Sequence, residues 1–141
     1  MATSDSGRWA VDTSVAVAAV DESHEAHSIC RAIARRRRPA LAGHAAFETY
    51  SVLTRLPGSQ RAAPETVSDL LARAFPTICW LAPQQHEDLF RRLGSLDIVG
   101  GMVYDALVAE AARAAHRTLL TRDRRAQRTY ELIGVRFEFV V

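Results

Sequence analysis

Four acidic residues occupy positions along this chain where a carboxylate is unexpected. Asp12 and Asp123 each follow a short apolar run, and Glu48 and Asp105 interrupt otherwise apolar helical patterns. A carboxylate that faces a core is costly to bury unless a cation or hydrogen-bond donors compensate its charge. Several carboxylates in one pocket also repel one another unless a cation neutralises them. The pattern therefore predicts a site for a divalent cation.

The side chains of these acids supply only oxygen, the ligand atom that Mg²⁺ and Mn²⁺ prefer. A bound divalent ion can polarise a phosphodiester, lower the pKa of a bound water and stabilise the leaving oxygen. The four acids therefore indicate phosphodiester hydrolysis.

The basic residues narrow the choice of function further. All 18 of them are arginine, and the chain has no lysine. A P-loop, a Schiff-base enzyme and a receiver-type phosphorylation domain each use a lysine, so the composition argues against all three. Arginine binds phosphate through two hydrogen bonds and stacks on bases, which suits a nucleic-acid substrate, although a GC-rich genome produces the same bias.

Length and composition predict one domain that spans residues 1–141. No apolar run approaches the roughly 20 residues of a membrane span, and the first residues carry no signal-peptide pattern. Cys30 and Cys79 lack metal-site spacing and do not predict a disulfide. We therefore expect a cytoplasmic protein that does not engage a membrane.

Short apolar segments alternate with helical patterns along the chain. Strand character occurs in five segments, at residues 8–11, 39–42, 77–81, 118–121 and 135–140. The intervening patterns predict helices at residues 15–20, 21–38, 44–56, 64–74, 83–93, 102–116 and 124–130, the first capped by the hydroxyls of Thr13 and Ser14. This alternation predicts an α/β fold with a mostly parallel sheet of about five short strands, covered on both faces.

The predicted sheet brings the acids together. Parallel strands all finish at one edge, so Asp12 and Asp123 should lie there, where ligands bind in such sheets. Asp105 falls on the apolar side of the 102–116 pattern, whereas Glu110 falls on its polar side with Arg113. The burial signal of Glu48 is weaker, because its side of the helix is partly polar.

Four segments that contain these acids together resemble the PIN domain, and more narrowly the VapC-type toxins of type II toxin–antitoxin systems. The segments are residues 11–15, 47–53, 104–107 and 120–123, and their order covers nearly the whole chain. The resemblance implies a three-layer α/β/α sandwich and an endoribonuclease that depends on Mg²⁺ or Mn²⁺. Asp12, Glu48, Asp105 and Asp123 match the catalytic acids of that family, with Asp12 and Asp105 as the most direct metal ligands. Thr13, Ser14 and Thr121 match hydroxyl positions that support the site.

The resemblance also implies partners. These are a cognate antitoxin, a second copy of the chain in a homodimer, and a structured RNA substrate such as tRNA or rRNA whose cleavage stops translation. Four arginines flank Asp123 and are candidate RNA contacts, namely Arg122, Arg124, Arg125 and Arg128.

Two other interpretations within the family stay open. One is a housekeeping PIN nuclease of RNA maturation, and the other is a non-catalytic, PIN-like metal-binding interaction module. A haloacid-type phosphatase also begins with a strand-end aspartate, but it expects an aspartate at position 14 and a later lysine.

Other residues have plainer interpretations. The spacing of His24 and His27 does not match a metal motif, which favours a solvated helix start. The large apolar side chains are expected in the core rather than as base-stacking surfaces, namely Trp9, Phe47, Phe75, Trp80, Leu89 and Phe90.

Overall fold

A computed structural model describes residues 7–58 and 61–141 of the chain. The segment 1–6, for which the sequence predicts no signal peptide, lies outside the described residues. The strands are β1 (Trp9–Val11), β2 (Ala40–Leu41), β3 (Thr118–Thr121) and β4 (Phe137–Phe139). The helices are α1 (Thr13–Val20), α2 (His27–Arg37), α3 (Ala45–Thr54), α4 (Pro64–Ala74), α5 (Pro83–Arg92), α6 (Met102–Ala114) and α7 (Gln127–Ile133), with a 3₁₀ turn at Arg124–Ala126. In the described ranges no helix combines the length and apolarity that a membrane crossing needs.

The sheet is parallel throughout, in the order β2-β1-β3-β4. The predicted fifth strand at residues 77–81 forms only an isolated bridge, between Ile78 and Leu41. The expected strand count was therefore wrong by one. Residues 77–81 would have to pair with β2, which is only two residues long and therefore offers little backbone for a ladder. β2 is short because Pro39 before it has no N–H to donate and because Gly43 turns the chain away at φ 48°.

Two apolar cores cover the two faces of the sheet. In β1, Trp9 and Val11 face one core and Ala10 faces the other, as the alternation of a strand requires. The first core is closed by residues of α1, α2 and α4, and the second by residues of α5, α6 and α7. The predicted three-layer α/β/α sandwich is thus confirmed.

Gly43 allows the sheet edge and α6 to approach closely. Its positive φ favours glycine, and a Cβ there would lie 2.9 Å from the Cβ of Ala111 on α6 and 3.3 Å from the carbonyl oxygen of Cys79. Any larger residue would therefore push α6 away from the strand ends.

Three local expectations were wrong. The cap of α1 is Asp12 itself, whose side chain accepts from the Val15 N–H, and the hydroxyls of Thr13 and Ser14 do not cap it. The α2 helix begins at His27 rather than at residue 21, because the Asp21 carboxylate binds the N–H and hydroxyl of Ser23 and holds a turn.

The third wrong expectation concerns Glu110, which the sequence pattern places on the polar side of its helix. Its side chain is buried rather than on a polar face, and it accepts hydrogen bonds from Arg92 on α5 and Arg113 on α6. The packing of α5 against α6 covers this side, and the period of one helix alone does not report such packing.

Candidate active site

Asp12 lies at the end of β1, where the order of the strands reverses. The chain leaves β1 toward β2 on one side, while β3 lies on the other side with Leu120 beside Val11. The carboxyl ends of strands at such a switch point form a crevice in which α/β proteins bind ligands.

The Asp12 carboxylate accepts four hydrogen bonds although it is buried. Oδ1 accepts from the Ser14 hydroxyl at 2.6 Å and from the Val15 N–H at 3.3 Å. Oδ2 accepts from the Tyr130 hydroxyl at 2.8 Å and from the Thr121 hydroxyl. Burial raises the pKa of Asp12, and the hydrogen bonds from Ser14, Thr121 and Tyr130 oppose that rise. Four donors match the roughly four lone-pair sites of a carboxylate.

The predicted supporting hydroxyls all lie beside acids. The Ser14 Oγ accepts from the Arg122 N–H at 2.8 Å, and the Thr121 Oγ1 accepts from the Asp123 N–H at 3.0 Å. Both hydroxyls donate to Asp12, so they connect the end of β1 to the end of β3. The Thr13 hydroxyl donates to Glu48 Oε1 at 3.0 Å.

Tyr130 belongs to this network although the sequence did not single it out. Burial raises the pKa of Tyr130, and the nearby charge of Asp12 raises it further, so its hydroxyl stays a donor. The available signal was a tyrosine on an apolar stripe, between Ala126 and Ile133, because a buried tyrosine hydroxyl needs a partner.

The four predicted acids line one pocket of about 540 Å³ at this edge of the sheet. Asp105 is half-buried, and its pKa is raised to about 6, first by burial and then by the charges of Asp123, Glu48 and Asp12. Arg125 opposes the rise. The structure thus brings the four carboxylates within electrostatic reach of one another.

The carboxylates share the pocket without converging on one point. Within residues 7–58 and 61–141, no three His, Cys, Asp or Glu side chains lie close enough together to hold a metal ion. The donor set itself, all carboxylate and hydroxyl oxygen, suits a hard cation. Because the four acceptor sites of Asp12 are filled, a cation bound directly to Asp12 would have to displace one of its donors.

Two of the four predicted RNA-binding arginines reach the pocket. Arg122 and Arg125 line it, the first also donating to the Val140 carbonyl at 2.9 Å and the second lying 3.3 Å from Asp123 Oδ1. Arg124 stacks over the Phe139 ring at 4.5 Å, and Arg128 is exposed outside the pocket lining.

His24 lies at the rim of the same pocket. Its side chain is half-buried, and its Nδ1 accepts from the Ala26 N–H at 3.0 Å in the turn before α2. It is therefore part of a turn and not of a solvated helix start.

Several aromatic residues that the sequence predicts in the core are exposed on the surface. Trp9, Phe75 and Leu89 are buried as expected, but the expectation was wrong for Phe47, Trp80 and Phe90, which are 64%, 55% and 77% exposed. In α3 the buried residues are spaced by four, so Phe47 lies about 200° around the helix from Ala45.

Comparison with known proteins agrees with this fold. A family model described as "PIN domain" matches residues 10–132. The chain is 49% identical over 126 residues to ribonuclease VapC27 of Mycobacterium tuberculosis, covering 89% of this chain and 92% of that protein. It is 45% identical over 133 residues to ribonuclease VapC40 of Mycobacterium tuberculosis, covering 93% of this chain and 98% of that protein. The chain therefore belongs to the PIN-domain family, among its VapC-type members.

Proposed function

We propose that this chain is a single-domain, metal-dependent endoribonuclease and the toxin of a toxin–antitoxin pair. The observation that carries the proposal is the pocket at the end of β1, which is lined by Asp12, Glu48, Asp105 and Asp123. Burial and then the charges of the other three acids raise the pKa of Asp105, and a bound cation would relieve the repulsion among these acids. The two relatives named as ribonucleases, which match along nearly their whole length, support the reaction.

In this proposal Asp12 and Asp105 hold Mg²⁺ or Mn²⁺, and Glu48 and Asp123 complete the site. The ion would supply Lewis acidity toward the phosphodiester and a water of lowered pKa. Ser14, Thr121 and Tyr130 fix the orientation of Asp12, and a hydroxyl that rotates away frees an acceptor site on it.

The remaining residues of the pocket position the substrate. Thr13 holds the Glu48 carboxylate through its hydroxyl. Arg122 and Arg125 at the pocket edge are placed to bind phosphate oxygens, which arginine does through two parallel hydrogen bonds.

The proposed biological role has three partners. The substrate is a structured RNA, either tRNA or rRNA, whose cleavage inhibits translation. A cognate antitoxin binds the toxin, and two copies of the chain form a homodimer. The VapC names of the relatives support the antitoxin, and a small antitoxin reading frame beside the gene would favour this role over RNA maturation.

A non-catalytic PIN scaffold is the second candidate. The observation that favours it is Asp12, whose acceptor sites are filled by protein donors as in a structural carboxylate.

Cleavage of RNA by purified protein tests the proposal. Structured RNA should be cut with Mn²⁺ or Mg²⁺ and left intact with EDTA. Asp12→Asn keeps the size of the side chain and should reduce the rate roughly a hundredfold or more, because losing a metal ligand removes several kcal/mol of transition-state stabilisation. Asp69→Asn, at an exposed acid on α4, is the matched control and should cleave normally.

Circular dichroism must show that Asp12→Asn is folded, and Asp105→Asn provides a second variant outside the Asp12 network. Undiminished cleavage in both folded variants would sink the assignment. Binding of Mn²⁺ by isothermal titration without any cleavage would support the scaffold instead.

A further inference from the structure

Four aromatic rings form one continuous surface beside the pocket that contains the four predicted acids, which we call the acid pocket. His44 stacks on Tyr104 with 5.4 Å between ring centroids and 20° between their planes. The Phe47 ring lies 6.2 Å from His44 and 5.6 Å from Trp80. We refer to these four side chains, His44, Phe47, Trp80 and Tyr104, as the aromatic platform.

The platform is exposed to solvent. Phe47 and Trp80 are more than half exposed, and Tyr104 is 51% exposed. Aromatic side chains bury large areas in cores and interfaces, so a group of neighbouring exposed rings marks a binding surface. His44 and Tyr104 stack face to face, whereas the Phe47 ring is tilted by 43° against His44 and by 51° against Trp80. The exposed fractions of Phe47, Trp80 and Tyr104 leave ring surface open for a ligand.

The platform is continuous with the acid pocket. Phe47 directly precedes Glu48 on α3, and Tyr104 directly precedes Asp105 on α6. A depression of about 360 Å³ is lined by both Phe47 and Glu48 and shares Thr13 with the acid pocket. A ligand chain that leaves the acid pocket along this depression therefore passes the rings of His44 and Phe47.

We propose that the aromatic platform binds unpaired nucleotide bases of the RNA substrate by stacking, next to the phosphodiester held in the acid pocket. This inference rests on the proposed nuclease function and assigns the contacts with the bases beside the cut to these four rings. Every base has a π-face that can stack on Phe, Tyr or Trp, and base pairing in a duplex leaves that face covered. Arg55, in the same depression, supplies positive charge for the phosphate between stacked bases.

A second surface on the molecule is better suited to a protein partner. Leu89, Leu93, Val103 and Leu107 line a mostly apolar depression of about 640 Å³ between α5 and α6, together with the exposed ring of Phe90. Its aliphatic side chains offer irregular shape for packing against protein. The platform instead presents ring surfaces beside charged groups, the combination used by proteins that bind single strands.

Binding of a labelled single-stranded RNA in EDTA tests the proposal without cleavage. Phe47→Ala and Trp80→Ala should each weaken binding by about 5- to 100-fold, the loss expected for one stacked base. Phe47→Tyr should restore it, because the ring is kept. Phe90→Ala is the control, since Phe90 is even more exposed than Phe47 and Trp80 but is not part of the platform. An abasic oligomer of the same length should bind weakly and equally to wild type and variants.

Tryptophan fluorescence gives an independent readout. The chain has two tryptophans, of which Trp9 is buried and Trp80 is exposed. Stacking on the platform should quench Trp80 when single-stranded RNA is added, and neither duplex RNA nor the abasic oligomer should do so. Trp80→Phe should remove the change.

Two results would overturn the inference. The first is wild-type affinity for single-stranded RNA in both Phe47→Ala and Trp80→Ala. The second is a shift of these variants to a smaller species in analytical ultracentrifugation with RNA binding unchanged, which would assign the platform to contact with a second copy of the chain. If the wild type cleaves RNA while the platform variants bind single-stranded RNA normally, only the stacking inference fails. If bases stack on the platform but the wild type cleaves no RNA with Mg²⁺ or Mn²⁺, only the nuclease function fails.

Discussion

The Asp12 carboxylate both caps a helix and lines the pocket. It caps α1, and its four donors come from α1, β3 and α7. Hydrogen bonds to a charged group are each worth roughly 1.5–3 kcal/mol, which offsets the cost of burying the carboxylate. The same network fixes the orientation of the side chain. Substitutions of Asp12 will therefore affect stability as well as cleavage.

Asp105 should make the stability of the metal-free protein depend on pH. Its pKa of about 6 lies above the ordinary value of an aspartate, so the folded state holds a proton that the unfolded state has lost. The contribution of Asp105 to stability is then greatest below about pH 4, falls as the pH rises toward about 6, and levels off above that. Asp105→Asn lacks this ionisation and should be more stable than wild type at pH 7 but not at about pH 4.

Urea unfolding in EDTA at both pH values measures the effect, with Asp69→Asn as the control that should show no such change. A stability difference between Asp105→Asn and wild type that stays constant with pH would contradict this assignment.

The residues of the site differ in how far the sequence could predict them. Asp12 and Thr121 end neighbouring strands, so the parallel topology alone places them together. Tyr130 lies 118 residues from its partner Asp12, and only the docking of α7 brings the two together. The metal-binding and RNA-binding roles of the acids and arginines stay predictions.

Among the helices, α6 contributes both to the pocket and to the packing of the second core. Its first turn carries Tyr104 and Asp105, and its buried middle contains Glu110. Glu110 accepts from Arg92 Nη2 at 2.9 Å and from Arg113 Nε at 2.6 Å, which fixes α6 against α5. The position of Asp105 in the pocket thus depends on an ion-pair group five residues further along the same helix.

Glu110→Ala should destabilise the protein by about 1–3 kcal/mol. The change removes a carboxylate that is only 3% exposed, while the two arginines can regain part of their hydration. Glu87→Ala removes a solvent-exposed ion pair with Arg91 and should cost less than about 1 kcal/mol. Chemical denaturation of both variants compares them directly, and equal losses would show that burial of Glu110 contributes nothing.

The sequence predicted those elements that a local pattern of residues determines. It failed where the packing of one helix against another determines which side chains are buried. Apolar runs identified all four strands, and prolines placed the starts of α4 and α5. The side of α6 that carries Glu110 and the exposure of Phe47 depend on which helix lies opposite, which periodicity within one segment does not reveal.

At the scale of the whole molecule, the parallel sheet determines where chemistry can occur. Cores on both faces leave the strand ends as the accessible edge, and β1 and β3 present Asp12 and Asp123 there. The aromatic platform and the arginines Arg122 and Arg125 border the same edge. The four acids and two arginines therefore line one opening, beside which the aromatic platform lies. This is the arrangement on which the proposed cleavage of an RNA strand rests.

Mapping RNA ends in cells tests whether the four acids carry out RNA cleavage. The wild type and Asp105→Asn are induced in parallel at equal protein levels, and all new RNA ends are sequenced. We expect new ends at a few unpaired positions of tRNA or rRNA with the wild type, and none with Asp105→Asn. The same new ends in both strains, or none in either, would contradict the assignment of the four acids to RNA cleavage.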